Sequence, residues 1–565
     1  MIYDWIQLIV LLVFVTILAV PLGSFIARVL EGERTFLSPI LRPVERLIYR
    51  LSGIDERKET GWKKYAFSLL CFNGVGLVVL FLFQLVQKWL PLNPQHLPPV
   101  RWDTAFNTAV SFVTNTNWQS YSGEKTMSYF VQMLGLTVEN FVSAATGIAA
   151  AAAFIRGFAR RTTHEIGNFW VDLVRSTLYL LLPLSLILAL ILVSQGVIQT
   201  FRSSVPVRTL EGTTQTIAVG PVASQVAIKE LGSNGGGFFN TNSAHPFENP
   251  NRVTNFFETL VILLIPAAFP FAFGRIVRNR RQGTAIFLVM MALFLAGLGL
   301  ALAAELHGNP NLARVGVSGG TNLEGQEVRF GPIQSVLWGQ STTATSNGSV
   351  NSMHDSAMPL TGLVYLFNIF IGEVIFGGVG VGLMGIIFYA IVTMFLVGLM
   401  IGRTPDAFGK KLEPFEMIMT VIAVLAPPIV MLTLTAGGLS LRSGLGSIAN
   451  PGAHGLSEIF YAFASAVGNN GSAFAGLNAN TPFYNLTTAL GMIAGRLLTI
   501  VPGLAIAGSL ARKRSLPADA VAFPSTSLLF IVTLIGVIVV FAALTFFPVV
   551  ALGPVLEHLY LLPHP

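Results

Sequence analysis

The sequence predicts an all-α integral membrane protein with ten transmembrane helices and four pseudo-symmetric membrane-pore-membrane repeats. Three observations predict it. Of the 565 residues, 53% are hydrophobic and only 11% charged, less than half the roughly 25% charged share of ordinary soluble domains. Apolar runs near the ~20 residues needed to cross a bilayer recur ten times along the chain. Four shorter apolar runs each lead into a loop of Gly, Asn, Ser and Thr.

The first apolar run, Trp5 to Leu30, begins Met-Ile-Tyr-Asp with no basic leader and is followed by Arg28, Arg34, Arg42, Arg46 and Arg50. That charge order is wrong for a signal peptide, so a spanning helix is expected. A basic segment runs to Lys64, and further spans are expected at 65–90, 126–155, 169–195, 253–274, 284–304, 357–401, 415–437, 483–509 and 524–547. The seventh, 357–401, is interrupted by glycines. With the first residue outside, 22 of the 34 Lys and Arg fall in the inner loops and nine in the outer ones, so the positive-inside rule puts both termini outside. The aqueous segments are too short for a separate soluble catalytic domain. The net charge of +7 is spread in clusters beside the spans, a pattern of topology and lipid-headgroup contact rather than of nucleic-acid binding. The single cysteine, Cys71, permits no intrachain disulfide and is expected to be a buried packing residue.

Four outer segments hold apolar stretches too short to span, read as re-entrant half-helices. They are Trp102–Val113, Pro221–Leu231, Ile333–Ser341 and Leu456–Val467. The loops that follow begin at Thr114, Gly232, Thr343 and Gly468. From Asn115 to Asn234 is 119 residues, from Asn234 to Asn347 is 113, and from Asn347 to Asn470 is 123. Each unit crosses twice, so successive units keep one orientation and share an axis along the membrane normal. The resulting division is 1–64 for an extra helix and basic loop, then repeats at 65–160, 161–283, 284–405 and 406–510, and a last helix in 511–565.

Four irregular loops at membrane depth, each fed by a half-helix, can form a central selectivity filter for a dehydrated cation, because carbonyl oxygens replace the hydration shell. Glycine frees the backbone for conformations a Cβ forbids. The loops carry no carboxylate, which favours an alkali cation over Ca2+ or Mg2+. No phosphate-binding G-x-x-x-x-G-K-[ST] motif occurs, since Gly409-Lys410-Lys411 lacks both the hydroxyl residue and the upstream glycine, and there is no Asp-Lys-Thr-Gly phosphorylation motif. No ATP is expected to bind this chain. On the residues alone, any uphill transport must be powered by another protein, and a stand-alone or regulator-gated K+ or Na+ channel or symporter and a non-transporting scaffold also stand.

Inside the seventh span, Gly372, Glu373, Gly377, Gly378, Gly380, Gly382 and Gly385 predict either close helix packing or an intramembrane loop beneath the filter. Glu373 and Arg496 are costly at that depth and are expected to face protein or water, approaching each other or bracing the loop. Glu139 and Arg175 are lesser candidates for snorkelling or capping. His245 and His354 follow the second and third loops without metal-ligand spacing and are expected to brace the outer vestibule. No metal other than K+ is expected.

The runs Gly232–Pro250, Thr342–Asp355 and Gly468–Leu477 resemble the KdpA family, the potassium-binding, channel-like subunit of the bacterial Kdp potassium pump. The resemblance covers essentially the whole chain. It implies K+ as the bound ion and a bacterial inner-membrane location. The partners it implies are a P-type ATPase subunit (KdpB-like), a single-span subunit (KdpC-like) and a small KdpF-like peptide. The positions matching the family's filter are Asn115, Thr116, Asn117 and Gln119; Ser233, Asn234, Gly235 and Asn242; Thr345, Ser346, Asn347 and Gly348; and Asn469, Asn470 and Gly471. Ser233 stands where threonine is common and Asn347 where cysteine is common, changes that keep the backbone carbonyls and bear on fine selectivity. The family also suggests that the glycine-rich break around Glu373 plugs direct passage and turns the ion sideways.

Overall fold

Ten helices long and apolar enough to cross a membrane make up a computed structural model that describes residues 2–317, 320–516 and 523–562. They are Ile2–Glu31, Trp62–Trp89, Val131–Ala159, Phe169–Ser194, Arg252–Ile276, Arg280–Leu312, Val381–Met400, Pro414–Ser440, Pro482–Arg512 and Leu528–Leu561, numbered here as spans one to ten. The seventh apolar run is split as its glycines suggest. A short helix, Pro359–Phe370, and span seven flank an irregular segment, 371–380.

The spans divide into a centre and a rim. Over an 18-residue apolar stretch of each, 83% of the residues are buried in span three and 78% in span five, against 17% in span two and 22% in span ten. Small residues build the centre. Ala149 to Ala153 of span three are wholly buried, and a Cβ on Gly157 would lie only 2.5 Å from the Cα of Ala507 on span nine. Within a bilayer, where lipid tails are as apolar as Leu, such close backbone approach is what brings helices together. Span one lies along span five, where Gly23 meets Ala268 and Phe271. Rim helices instead turn Val75, Val78, Leu82, Val532 and Leu544 outward. Cys71 belongs to that outward face of span two and is exposed, contrary to its expected burial. On a helix apolar all round, composition does not tell the lipid side from the protein side.

The basic stretch after span one contains a helix, Ser38–Ser52, that exposes Ile40, Leu47 and Leu51 and buries Glu45 and Tyr49. Arg175 of span four reaches it, donating from Nε to Glu45 at 2.9 Å, while Tyr179 donates to the same carboxylate at 2.7 Å. Arg175 therefore pairs with protein rather than snorkelling. On the same predicted inner side, Lys410 of the Gly409-Lys410-Lys411 run is buried. Its Nζ donates to the carbonyls of Arg160 at 2.5 Å, Leu510 at 3.2 Å and Lys513 at 2.8 Å. A cation there supplies donors to carbonyls at the ends of spans three and nine.

The four half-helices are Trp102–Val113, Val222–Leu231, Gly331–Ala344 and Ala453–Val467, called pore helices one to four below. Each is buried along nearly its whole length. Each ends in an irregular loop rather than continuing across.

Candidate ion-binding site

The end of each pore helix folds back in the same way. The backbone N–H of Thr116 donates to Ser111 O at 2.9 Å, Asn234 to Lys229 O at 3.0 Å, Asn347 to Thr342 O at 3.0 Å and Asn470 to Ser465 O at 2.9 Å. The residue before each is left-handed: Asn115 (φ 63°), Ser233 (48°), Ser346 (51°) and Asn469 (48°). The residue after each is left-handed too: Asn117 (52°), Gly235 (74°), Gly348 (88°) and Gly471 (95°). The equivalent positions are therefore Thr116, Asn234, Asn347 and Asn470. This shifts the first repeat by one residue from the asparagine-to-asparagine spacing, which had paired Asn115 with Asn234.

Hydrogen bonds close the four loops into a ring. Asn115 Nδ2 donates to Ser233 O at 2.9 Å and Asn117 Nδ2 to Gly235 O at 2.8 Å, joining loops one and two. Gln119 reinforces that seam in both directions, donating to Gly237 O at 3.1 Å and accepting from Gly237 N–H at 2.8 Å. Asn347 Nδ2 donates to Lys229 O at 3.1 Å, joining three to two, and Asn470 Nδ2 to Thr342 O at 2.9 Å, joining four to three. Asn469 Nδ2 donates to Thr116 Oγ1 at 2.9 Å and completes the circle.

The glycines are placed where the seams are tightest. A Cβ on Gly235 would overlap the carbonyl oxygen of Asn347, one on Gly348 that of Asn470, and one on Gly471 that of Thr116. In the first loop this place belongs to Asn117, which carries a side chain and uses it on Gly235 and on Asn140 of span three. Two expected residues use their side chains elsewhere than in the seams. Thr345 spends its hydroxyl on Ser341 O at 2.8 Å within pore helix three. Asn242 lies in the vestibule wall, its Nδ2 on Asn240 O at 3.0 Å.

Above the ring opens a cavity of about 590 Å³ lined by Asn117, Gly236, Gly348 and Gly471 at the loop tips, with Asn242 and Glu327 on its wall. His354 reaches this wall and pairs its Nδ1 with Tyr461 at 3.1 Å, while His245 stacks on Phe239 at 3.8 Å. Among the described residues, neither histidine joins a group of potential metal ligands. Below the ring is a cavity of only about 40 Å³, lined by Gly468, Asn469, Glu373, Thr499 and Pro427, Pro428 and Met431 of span eight.

Segment 371–380 forms the floor. Gly377 N–H donates to Ala344 O at the end of pore helix three at 3.1 Å. Gly372, Gly377 and Gly380 are left-handed at 83°, 67° and 84°, and Gly380 abuts the backbone of Gly147 on span three. Glu373 accepts from Gly378 N–H at 2.7 Å, and Arg496 Nη2 donates to Ser143 O at 3.2 Å. The two are not in direct contact, although Arg496 lies near enough to act on Glu373 through space. Glu373 braces the floor segment itself.

Sequence reasoning missed a group of charges behind the ring. Lys229, Glu230, Glu248 and Glu258 are all fully buried and hydrogen-bonded to the loops or to one another. The signal available was a Lys-Glu pair inside an otherwise uncharged half-helix.

The profile of the family described as KdpA, potassium-transporting ATPase A subunit, matches residues 9–559. A potassium-transporting ATPase potassium-binding subunit of Herpetosiphon aurantiacus is 54% identical, covering 98% of this chain and 99% of its own. One of the same description from Pseudomonas entomophila is 54% identical, covering 99% of each. Among solved structures, the potassium transporter TrkH from Vibrio parahaemolyticus superposes with a TM-score of 0.53 at 15% identity, over 89% of this chain and 98% of its own. That likeness concerns the fold, a bundle with pore repeats. By the profile match and the two near-full-length relatives, the chain belongs to the KdpA family of potassium-transporting ATPase A subunits.

Proposed function

We propose that the chain binds K+ from the outer side in the four-loop ring and passes it sideways to a P-type ATPase subunit for ATP-driven uptake. The observation that carries this reading is the closed ring set between a wide outer cavity and a floored inner one. A cation entering from the vestibule exchanges water for backbone carbonyls and small-residue oxygens. The carboxyl ends of four pore helices add partial negative charge at the same place. Below, Gly377 and its neighbours close the straight path, and the small cavity extends toward Pro427 and Pro428 of span eight, which is the route that favours transfer to a neighbouring subunit. Relatives named as potassium-binding subunits support the ion assignment.

In this reading the chain is a non-catalytic subunit. The phosphorylated subunit, the single-span subunit and the small peptide are its partners in the bacterial inner membrane, with both termini outside. The filter comprises Asn115 to Asn117 with Gln119, Ser233 to Gly235, Ser346 to Gly348 and Asn469 to Gly471, and the repeats run 65–160, 161–283, 284–405 and 406–510. The test is the ATPase activity of the reconstituted complex titrated with K+, Rb+ and Na+. Stimulation at low K+ with Na+ far weaker is the expected result. Channel-like K+ flux through this chain alone in liposomes overturns the transfer reading.

A further inference from the structure

Behind loops two and three, three carboxyl groups and one ammonium group are enclosed with no access to solvent: Glu230, Glu248, Glu258 and Lys229. Lys229 Nζ donates to Glu248 at 2.6 Å, to Gly236 O at 2.8 Å and to Ser243 Oγ at 3.0 Å, and lies 3.1 Å from Glu230. Glu248 has both oxygens matched, the second by the N–H of Phe239 at 2.8 Å. Ser349, next to the ring glycine Gly348, places its hydroxyl 2.7 Å from Glu230 and 2.6 Å from Asn347 Oδ1, and since Asn347 Oδ1 already accepts from Ser349 N–H and Thr342, that hydrogen can go to Glu230. Glu230 is then satisfied as an ion. Glu258, reaching in from span five, touches only Ser243, at 2.9 Å, and its Oε1 has no donor.

Ser243 has one hydrogen but faces two carboxyl oxygens, Glu230 at 3.1 Å and Glu258 at 2.9 Å. An ionised, half-bare carboxylate in a dry interior is heavily penalised, and a protonated one is a hydrogen-bond donor. The arrangement that leaves no ionised carboxylate oxygen bare is the one in which Glu258 keeps its proton and donates to Ser243, and Ser243 donates to ionised Glu230. The group then holds Lys229 positive against two carboxylates, leaving one net negative charge beside a ring that has none of its own.

We infer that Glu230, held through Ser243 by a neutral Glu258 and locked to the ring by Lys229 and Ser349, is an affinity-determining positioning residue for the bound K+. This rests on the ring being the K+ site. It adds the source of fixed charge that the loops lack, and it assigns Lys229 the task of fixing the Gly236 carbonyl. The effect acts by field and by placement, since no carboxylate of the group touches the ion.

The experiment compares Glu230→Gln and Glu258→Gln in the whole complex. Glu230→Gln removes the net charge at constant shape. It is expected to raise the K+ concentration for half-maximal ATPase about tenfold, the size Coulomb's law gives for one unit charge a few residues from the ion in a protein-like dielectric, with maximal turnover unchanged. Glu258→Gln keeps a donor toward Ser243 and is expected to stay within about threefold of the parent, less than half the free energy of that tenfold loss. Infrared difference spectra supply a second reading that needs no transport: the carbonyl band of a protonated carboxyl group is present in the parent and in Glu230→Gln and absent from Glu258→Gln. A parental K+ dependence in Glu230→Gln, or an equal loss in both variants with no band removed, overturns the inference. A parent complex indifferent to K+ would instead overturn the ring as the K+ site, and the infrared result would still assign the proton.

Discussion

Every seam of the ring carries side-chain hydrogen bonds, but three of them add a glycine pressed onto the backbone of the next loop where the fourth has Asn117. At Gly235, Gly348 and Gly471 one backbone runs onto the carbonyl of the next loop with no room for a Cβ. Between loops one and two, side chains do the joining: Asn115, Asn117 and Gln119 all donate to backbone carbonyls of the second loop. A backbone seam fixes spacing through hard contact and tolerates no substituent. A side-chain seam fixes it through hydrogen bonds that can be removed singly. Fourfold architecture therefore does not imply four equal parts.

The largest expected effect follows from the hard seams. Gly348→Ala or Gly471→Ala forces a Cβ into a neighbouring carbonyl and also strains a left-handed residue. Overpacking costs about 1–3 kcal/mol and the left-handed conformation about 1–2 kcal/mol more for a residue with a Cβ. Either variant should weaken K+ stimulation of the complex roughly a hundredfold or more, and Gly235→Asp or Gly471→Asp should do at least as much. Wild-type ion affinity in Gly348→Ala would erase the distinction between the seams. Asn117→Ala tests the other kind. It removes the bonds to Gly235 O and Asn140 while leaving the backbone room intact, at about 1–2 kcal/mol, which is about a tenfold loss of K+ affinity. Asn117→Gly should resemble Asn117→Ala. If it matches the parent instead, this seam too is set by backbone. Outside the ring, Lys410→Met should lower the thermal unfolding temperature, because the carbonyls of Arg160 and Lys513 lose the ammonium donor and that of Leu510 loses one of its two donors, and should leave the half-maximal K+ concentration unchanged.

The spans were legible because crossing a bilayer sets a length and a polarity that almost any sequence must show. The half-helices were legible for the complementary reason, being apolar yet too short. The first, Trp102–Val113, has the expected bounds, and the others differ by one to three residues at an end. The register within the loops was not legible. Asn115 and Asn117 flank Thr116, and matching asparagine to asparagine picked the wrong one, since backbone handedness rather than residue type defines equivalence. The helix Ser38–Ser52 was hidden by Pro39, Pro43 and its arginines, which read as a basic linker. The charges behind the ring were missed because Lys229-Glu230, Glu248 and Glu258 meet only after a loop turns the chain back on itself. A charge in a half-helix looks like a solvated face until its partners are known.

The smallest predicted effect concerns an outer tie across a glycine seam. His454, at the outer start of pore helix four, lies with Nε2 3.1 Å from Asp355, which follows loop three, and Nδ1 2.8 Å from Glu557 at the end of the chain's last helix. Burial disfavours its charge, but the hydrogen bonds and charges of the two carboxylates outweigh burial and raise its pKa from 6.5 to about 10. A group whose folded pKa is raised stabilises the fold fully below its unfolded value, and that stabilisation drains away as pH rises toward the folded one. The tie should therefore be intact up to about pH 6.5 and weaken progressively to about pH 10. His454→Gln should unfold at a lower temperature than the parent near neutral pH, with the gap closing as pH approaches 10. If the hard seam between loops three and four holds itself, K+ affinity should stay flat across that window in both proteins. A parental K+ affinity that falls with the unfolding temperature would mean that the glycine seam depends on an ionic support outside the ring.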